Sequence, residues 1–544
     1  VNELFQVIEK NHVRWIPAAL IVAGAALRIH AYAQNASLSI DEAAIARNLA
    51  ARSFTRIFGP LDFAQIAPPG FLALEKLAMT LFGRSEYALR AVPLALGLMS
   101  LWLCWDFARR AVSFWSAVYC LAFVALNPAL VAYSVISKQY SGEVAAALLI
   151  VWLAARLLGP GSAREAPWLA LTGAAAVLFS FTAVFVLAGA SVTLAAHSAF
   201  ARAHPGSRRL GAIAGFWAVA AVAGAWLARL NLTASDSAYM HWFWAAGFMP
   251  FPPRTTAEAT WLWSRMKSLF GQTAHYRATT VWVLLAAAGA YSLARRTWTT
   301  ASIVLTPAAL VVIASAARLY PFASGRVQLF LLPLLLLVAA EGVGWAWSVA
   351  CRRVRVVAVL PAAVLMFTAA YATLTEAGSD PREELRPFLE QVTADWRPGD
   401  MLYVYYGLGQ AFLYYAPRYH IAERDYVVGT CSRGSGRTYL RELDRLRGRP
   451  RVWIALPHRE DIEVDLFVRY LDTIGRRLQV ANASQAVARP GVVGYLYDLT
   501  RSERSGSVSA DSFALPERLS DPAPYPWSCY GVFQPVAGAT AGAE

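Results

Sequence analysis

Eleven predominantly apolar stretches recur along the 544 residues, near 15–33, 88–106, 113–131, 142–158, 167–180, 183–199, 210–228, 278–294, 301–316, 327–347 and 356–375. About 20 apolar residues at ~1.5 Å each cross the hydrocarbon of a bilayer, and a backbone in lipid must satisfy its polar groups internally. The pattern therefore predicts an α-helical polytopic membrane protein. A composition of 57% hydrophobic and 15% charged residues excludes a soluble multidomain protein, a disordered chain, a coiled coil and a fibre. Nineteen Trp, 23 Tyr and 26 Phe supply interfacial belts as well as packing.

Charge sets the first boundary. Residues 1–375 hold 29 Lys and Arg against 13 Asp and Glu, whereas 376–544 hold 20 against 22. The basic excess belongs to the membrane part, where it reads as positive-inside bias and sites for anionic lipid, and not as a nucleic-acid footprint. Lys10 and Arg14, Arg109 and Arg110, Arg156 and Arg164, Arg202 with Arg208 and Arg209, Arg295 and Arg296, and Arg352, Arg353 and Arg355 fall on one set of short loops. That parity puts the N-terminus in the cytoplasm and, after eleven spans, the C-terminal part outside. The long loops 34–87 and 229–277 then face outward. Every cytoplasmic segment is only about a dozen residues, too short for a catalytic domain, and no GxxxxGK[ST] or GxGxxG run argues for a nucleotide. The first span allows a cleavable signal, but Arg28 and His30 interrupt its tail and favour an anchor.

From 376 the pattern becomes mixed: an amphipathic stretch at 381–396, strand-like 401–406, 451–456 and 492–499, and helix-like 461–477. This predicts a small α/β domain over 376–500 followed by a Ser/Pro-rich, loosely ordered tail over 501–544. Gly407 and Gly409 fit a tight turn better than a phosphate cradle. Cys104, Cys120 and Cys351 lie in or beside spans, while Cys431 and Cys529 share the outward domain, where a disulfide is permitted. No CxxC or HExxH pattern supports a dedicated metal site, although a divalent ion at the site is left open.

The chemistry concentrates on the outward side. Asp41 and Glu42 follow Ser39, so they either favour a helix N-terminus or form a carboxylate site. Gln65 to Phe71, with Pro68, Pro69 and Gly70 between them, is a turn entering an apolar helix, 71–82. Arg28, His30, Arg90, Lys138, Glu143, Arg318 and Arg326 cluster at outer span ends, while Glu341 sits near the inner end of the tenth span and is read as structural. A membrane-surface carboxylate with convergent cations suits transfer from a lipid phosphate: the carboxylate takes the proton of an acceptor hydroxyl and Lys or Arg neutralises the leaving phosphate.

Several stretches carry a resemblance: Ser39-Ile-Asp41-Glu42-Ala43, Gln65-Ile-Ala-Pro68-Pro69-Gly70-Phe71, Gly83-Arg-Ser-Glu86-Tyr-Ala-Leu-Arg90, Tyr133 to Ser141 and Trp242 to Pro250. Tyr320-Pro321-Phe322-Ala-Ser-Gly-Arg326 and, in the outward domain, Arg397 to Tyr406 and Arg451-Val-Trp453 complete it. Across nearly its whole length the chain resembles the bacterial GT-C superfamily of polyprenyl-phosphate-sugar-dependent glycosyltransferases, which includes lipid A aminoarabinose transferases and protein mannosyltransferases. The resemblance implies a GT-C-like transmembrane domain over 1–375, an extracytoplasmic C-terminal domain, and a bacterial inner membrane with that domain in the periplasm. It implies that an acidic residue of the first outward loop is base or substrate anchor, which maps onto Asp41, and that Lys138 and Arg326 face the donor phosphate. Where the aminoarabinose branch has a second acid, this chain has Gln65.

The resulting expectation is a transferase that moves one sugar, hexosyl or pentosyl, from a polyprenyl phosphate to a glycan, lipid or protein acceptor in cell-envelope glycan or glycolipid synthesis. Asp41 is the base, Lys138 and Arg326 hold phosphate, and Glu42, Gln65, Tyr140 and Tyr320 contact sugar or acceptor. Membrane lipid is a partner and nucleic acid is not. The rival is a transporter or flippase of lipid-linked precursors, for which no internal repeat speaks.

Overall fold

The computed structural model describes residues 15–159, 164–200, 206–323, 325–349, 384–432, 435–457, 462–482, 491–500, 508–520 and 529. The expected span 356–375, together with Lys10, Arg14, Arg202, Cys351, Arg352, Arg353 and Arg355, lies outside them. Contacts divide the chain into two compact units, Val1–Gln34 with Ala67–Ala377, and Asn35–Ile66 with Gly378–Glu544. Much of the first outward loop, expected within the membrane part, thus packs with the C-terminal domain.

The first unit is helical. Among the described residues seven helices are long and apolar enough to cross a membrane: Trp15–Ala33, Glu86–Ala111, Tyr140–Leu158, Ala183–Phe200, Ser207–Leu230, Trp298–Ala316 and Gly325–Val349. The expected span 113–131 is broken. Helices Phe114–Ala125 and Pro128–Val135 meet at 56°, and counting the pair as one span gives eight. Asn127-Pro128 explains the break, because Pro starts the second helix while the Asn127 side chain accepts from the Leu130 amide. The carbonyls freed at the break are satisfied from afar. Buried Arg28 donates to Ala125 O at 3.1 Å and Val124 O at 3.3 Å, and Tyr276 Oη donates to Phe123 O at 3.1 Å.

Two further expected spans are not among those seven. At 167–180 the apolar helix is only Ala166–Leu178, and at 278–294 helix Thr279–Arg296 runs into its terminal arginine pair. That helix approaches Leu332–Val349 very closely, since a Cβ on Gly289 would stand 1.8 Å from Val338 O and one on Gly342 1.9 Å from Leu285 O. The buried Glu341 beside Gly342 accepts from Ser292 Oγ at 2.8 Å and Arg296 Nη1 at 2.9 Å, a structural tie between the two helices.

The second unit is α/β. Its five-stranded sheet runs β2-β1-β3-β5-β4, with β1 Met401–Val404, β2 Tyr426–Val428, β3 Val452–Leu456, β4 Arg476–Asn482 and β5 Val493–Asp498. β1 pairs in parallel with β2 and β3, whereas β5 is antiparallel to β3 and β4. β1 and β3 are buried along their whole length, as their continuous apolar runs require. Alternation sends Met401, Tyr403, Val452, Ile454 and Leu456 to one face, where Leu440, Leu443, Leu466, Phe467 and Tyr470 cover them from helices Gly436–Asp444 and Ile462–Ile474.

The motifs at 397–400 and 451–453 are turn and strand anchors. Arg451 Nε and Trp453 Nε1 both donate to Asp400, at 2.8 and 3.0 Å. Gly407 lies in a 3-10 turn between β1 and helix Gly409–Tyr415, as expected of a tight connection. A disulfide joins Cys431 to Cys529. Within the described part of the tail, Val508, Phe513, Leu515 and Leu519 pack on the domain core, and Arg437 and Arg447 donate to carbonyls of 508–513.

Candidate active site

The candidate residues divide between the units, with Asp41, Glu42 and Gln65 in the second and Lys138, Tyr140, Tyr320 and Arg326 in the first.

Helix Ile40–Ala51 begins with a full capping box. The Glu42 amide donates to Ser39 Oγ, and the Ser39 amide donates to Glu42 Oε2 at 3.0 Å. Glu42 is fully buried, and that carboxylate belongs to the cap. Asp41, one residue earlier, is only half-buried. Gln65 is brought to it by a loop knitted back onto the same helix. Asn48 Oδ1 accepts from the Asp62 amide at 2.9 Å, Asn48 Nδ2 donates to Asp62 O at 3.2 Å, and Arg52 pairs with the Asp62 carboxylate at 2.8 Å. Phe63 and Ala64 then take left-handed backbone at φ 63° and 51°. Such a conformation costs roughly 1–2 kcal/mol per non-glycine residue, so the turn is held by its surroundings. It delivers Gln65 Nε2 to Asp41 Oδ1 at 3.4 Å and to Phe63 O at 3.2 Å.

The helix itself is seated within its unit. Leu38 N donates to Tyr415 Oη at 2.9 Å, Ser37 N to the Glu384 carboxylate at 3.0 Å, and Arg47 bonds Gln410 while lying over the Phe63 ring at 4.7 Å. Burial pulls the Arg47 guanidinium below its ordinary value.

In the first unit, Lys138 and Tyr140 are buried at the start of helix Tyr140–Leu158, 6% exposed each, with buried Glu143 less than a turn beyond. Lys138 acts electrostatically on Glu143. Arg326 lies over the Tyr140 ring at 5.8 Å, and Tyr133 meets that ring edge-on at 5.1 Å. Arg326 is carried by a closed turn: Tyr320 Oη donates to Val327 O at 2.9 Å and Gln328 Nε2 to Pro321 O at 2.7 Å. Tyr320 also rests on Phe185 at 5.1 Å. Thus Arg326 meets Tyr140, and Tyr320 belongs to the turn presenting Arg326.

Sequence reasoning missed Glu75, fully buried in helix Pro69–Phe82, where Ser137 Oγ donates to its Oε2 at 3.4 Å. The available signal was one carboxylate on an otherwise apolar helix.

No family model matches the chain, and no curated protein does. Solved structures do. ArnT from Cupriavidus metallidurans bound to undecaprenyl phosphate is similar at 13% identity with a TM-score of 0.49, over 91% of this chain and 100% of that one. The archaeal oligosaccharyltransferase AglB from Archaeoglobus fulgidus, in complex with an inhibitory peptide and a dolichol-phosphate, is similar at 11% identity and 0.46, over 86% and 73%. The Archaeoglobus fulgidus oligosaccharyltransferase tethered to an acceptor peptide is similar at 12% identity and 0.48, over 84% of this chain and 70% of that one.

Proposed function

We propose that this protein is an integral membrane glycosyltransferase using a polyprenyl-phosphate-linked sugar donor, with the transfer on the extracytoplasmic side of a bacterial inner membrane. The observation that carries the reading is Asp41: a half-exposed carboxylate in the first turn of a helix capped by Ser39 and Glu42, with the Gln65 amide donating to it. Such a group accepts the proton of an acceptor hydroxyl as that oxygen bonds to the anomeric carbon. The bond between anomeric carbon and phosphate oxygen breaks, its electron pair leaves with the polyprenyl phosphate, and Lys138 and Arg326 neutralise the phosphate. A phosphate monoester is a good leaving group, so the departing side needs no general acid. A single displacement inverts the anomeric centre. Tyr140 and Tyr320 then contact sugar or acceptor, and the acceptor is a glycan, lipid or protein of the cell envelope.

The test supplies labelled polyprenyl-phosphate sugars and an envelope acceptor extract to the purified protein in vesicles. Transfer produces free polyprenyl phosphate and labelled acceptor; movement of intact donor between leaflets without bond cleavage would overturn the reading in favour of a transporter.

A further inference from the structure

Lys138 lies in the short connection between helices Pro128–Val135 and Tyr140–Leu158. Residues 136–139 belong to no helix or strand, so the place of the lysine is set by whatever holds this connection. Just before it, Ser134 Oγ donates to Leu130 O at 2.6 Å and packs against Gly97, where a Cβ would collide with that hydroxyl. Just after it, Arg326 lies over the Tyr140 ring. In its middle the Lys138 amide donates to Ile136 O at 2.7 Å, a three-residue turn centred on Ser137. Ser137 is fully buried, and its hydroxyl donates to Glu75 Oε2 at 3.4 Å.

Glu75 interrupts an apolar stripe. On helix Pro69–Phe82 the buried positions are Phe71, Leu72, Glu75, Ala78 and Met79, the spacing of a single helical face. The helix is closely seated, since a Cβ on Gly70 would stand 2.8 Å from Leu178 O. A carboxylate on such a face costs free energy unless hydrogen bonds compensate it, and packing alone is served as well by Leu or Met. What Glu75 adds to the face is an oxygen that accepts, and the hydroxyl it accepts from belongs to the residue before Lys138.

We propose that Glu75 is a positioning residue, which by accepting from Ser137 fixes the turn that presents Lys138 to the donor phosphate. The role rests on the glycosyltransferase reading, in which Lys138 holds that phosphate. Lysine is a point charge on a flexible four-carbon stem, so the backbone turn from which the stem leaves decides where the ammonium can reach. Without the Glu75 acceptor the turn loses its central anchor, and the ammonium is spread over positions that do not meet the phosphate.

The experiment is titration of undecaprenyl phosphate into the full-length protein in nanodiscs. Glu75→Ala and Ser137→Ala are each expected to weaken binding about tenfold, the lower end of what losing a charged hydrogen bond costs. The double variant is expected to bind no more weakly than either single one, because the two side chains act as one strut. Glu75→Gln keeps an oxygen for Ser137 and should recover most of the affinity. In Lys138→Met protein, where Arg326 still meets the phosphate, Glu75→Ala should cause no further loss, a result that general damage to the fold would not give. Wild-type affinity in both alanine variants, additive losses in the double variant, no recovery with Gln, or an undiminished loss in the Lys138→Met background overturns the role and leaves the donor reading standing. Wild type that binds no undecaprenyl phosphate contradicts the donor reading and the role together. If Glu75→Ala fails to fold, Ser137→Ala, which removes a single oxygen, decides the matter.

Discussion

Gln65 donates to Asp41 across 3.4 Å, from a turn whose two preceding residues are both left-handed. Backbone strain has been accepted there to set an amide against a carboxylate. Replacing that amide by an acid puts like charges at the same distance, which raises the proton affinity of the pair. Gln65→Glu is therefore expected to move the acid limb of the transfer pH profile upward by about one unit, measured as rate against pH. An unchanged limb would separate Gln65 from the base.

In the proposed function Lys138 and Arg326 hold the donor phosphate. Removing either charge by Met should weaken undecaprenyl phosphate binding by about 10–100-fold, the range of a charged hydrogen bond. Arg326→Lys should recover only part, because the flat guanidinium over Tyr140 is lost. Titration into protein in nanodiscs reads both.

Arg28 satisfies Val124 and Ala125 carbonyls at the break in the third apolar segment. Arg28→Met keeps an unbranched apolar chain but leaves those carbonyls without this donor, a cost of about 1–3 kcal/mol. The melting temperature in detergent should fall by several degrees.

Asp444 shows how the tail is held. Burial disfavours its charge, but hydrogen bonds from Tyr470, Arg447 and the Ala510 amide outweigh it and hold the carboxyl below its ordinary value. Its folded value lies below the unfolded one of about 3.9, so its contribution is complete above that pH and is lost as pH falls toward and through the folded value. Proteolysis of the 508–520 segment should accelerate below about pH 4 in wild type, and at neutral pH already in Asp444→Asn.

The sequence spoke plainly where one physical rule dominated. Apolar runs located seven helices of membrane length among the described residues, because burial of about 20 consecutive residues needs no partner to be read. Ser39 and Glu42 announced a helix start at the spacing the structure uses. What stayed hidden depends on contacts distant in sequence. Ser37 meets Glu384 from 347 positions away, so nothing local assigns 35–66 to the C-terminal unit. Glu75 looks isolated until Ser137 folds beside it, 62 positions on. Composition alone does not show that four apolar side chains of the described 508–520 segment pack on the domain core.

The most direct test of the central claim compares wild type with Asp41→Asn, a near-isosteric change that removes the base. Release of polyprenyl phosphate from a polyprenyl-phosphate sugar, with an envelope acceptor present, should fall by about 10²–10⁴-fold in the folded variant while donor binding is retained. Equal release by the two proteins would contradict Asp41 as the base.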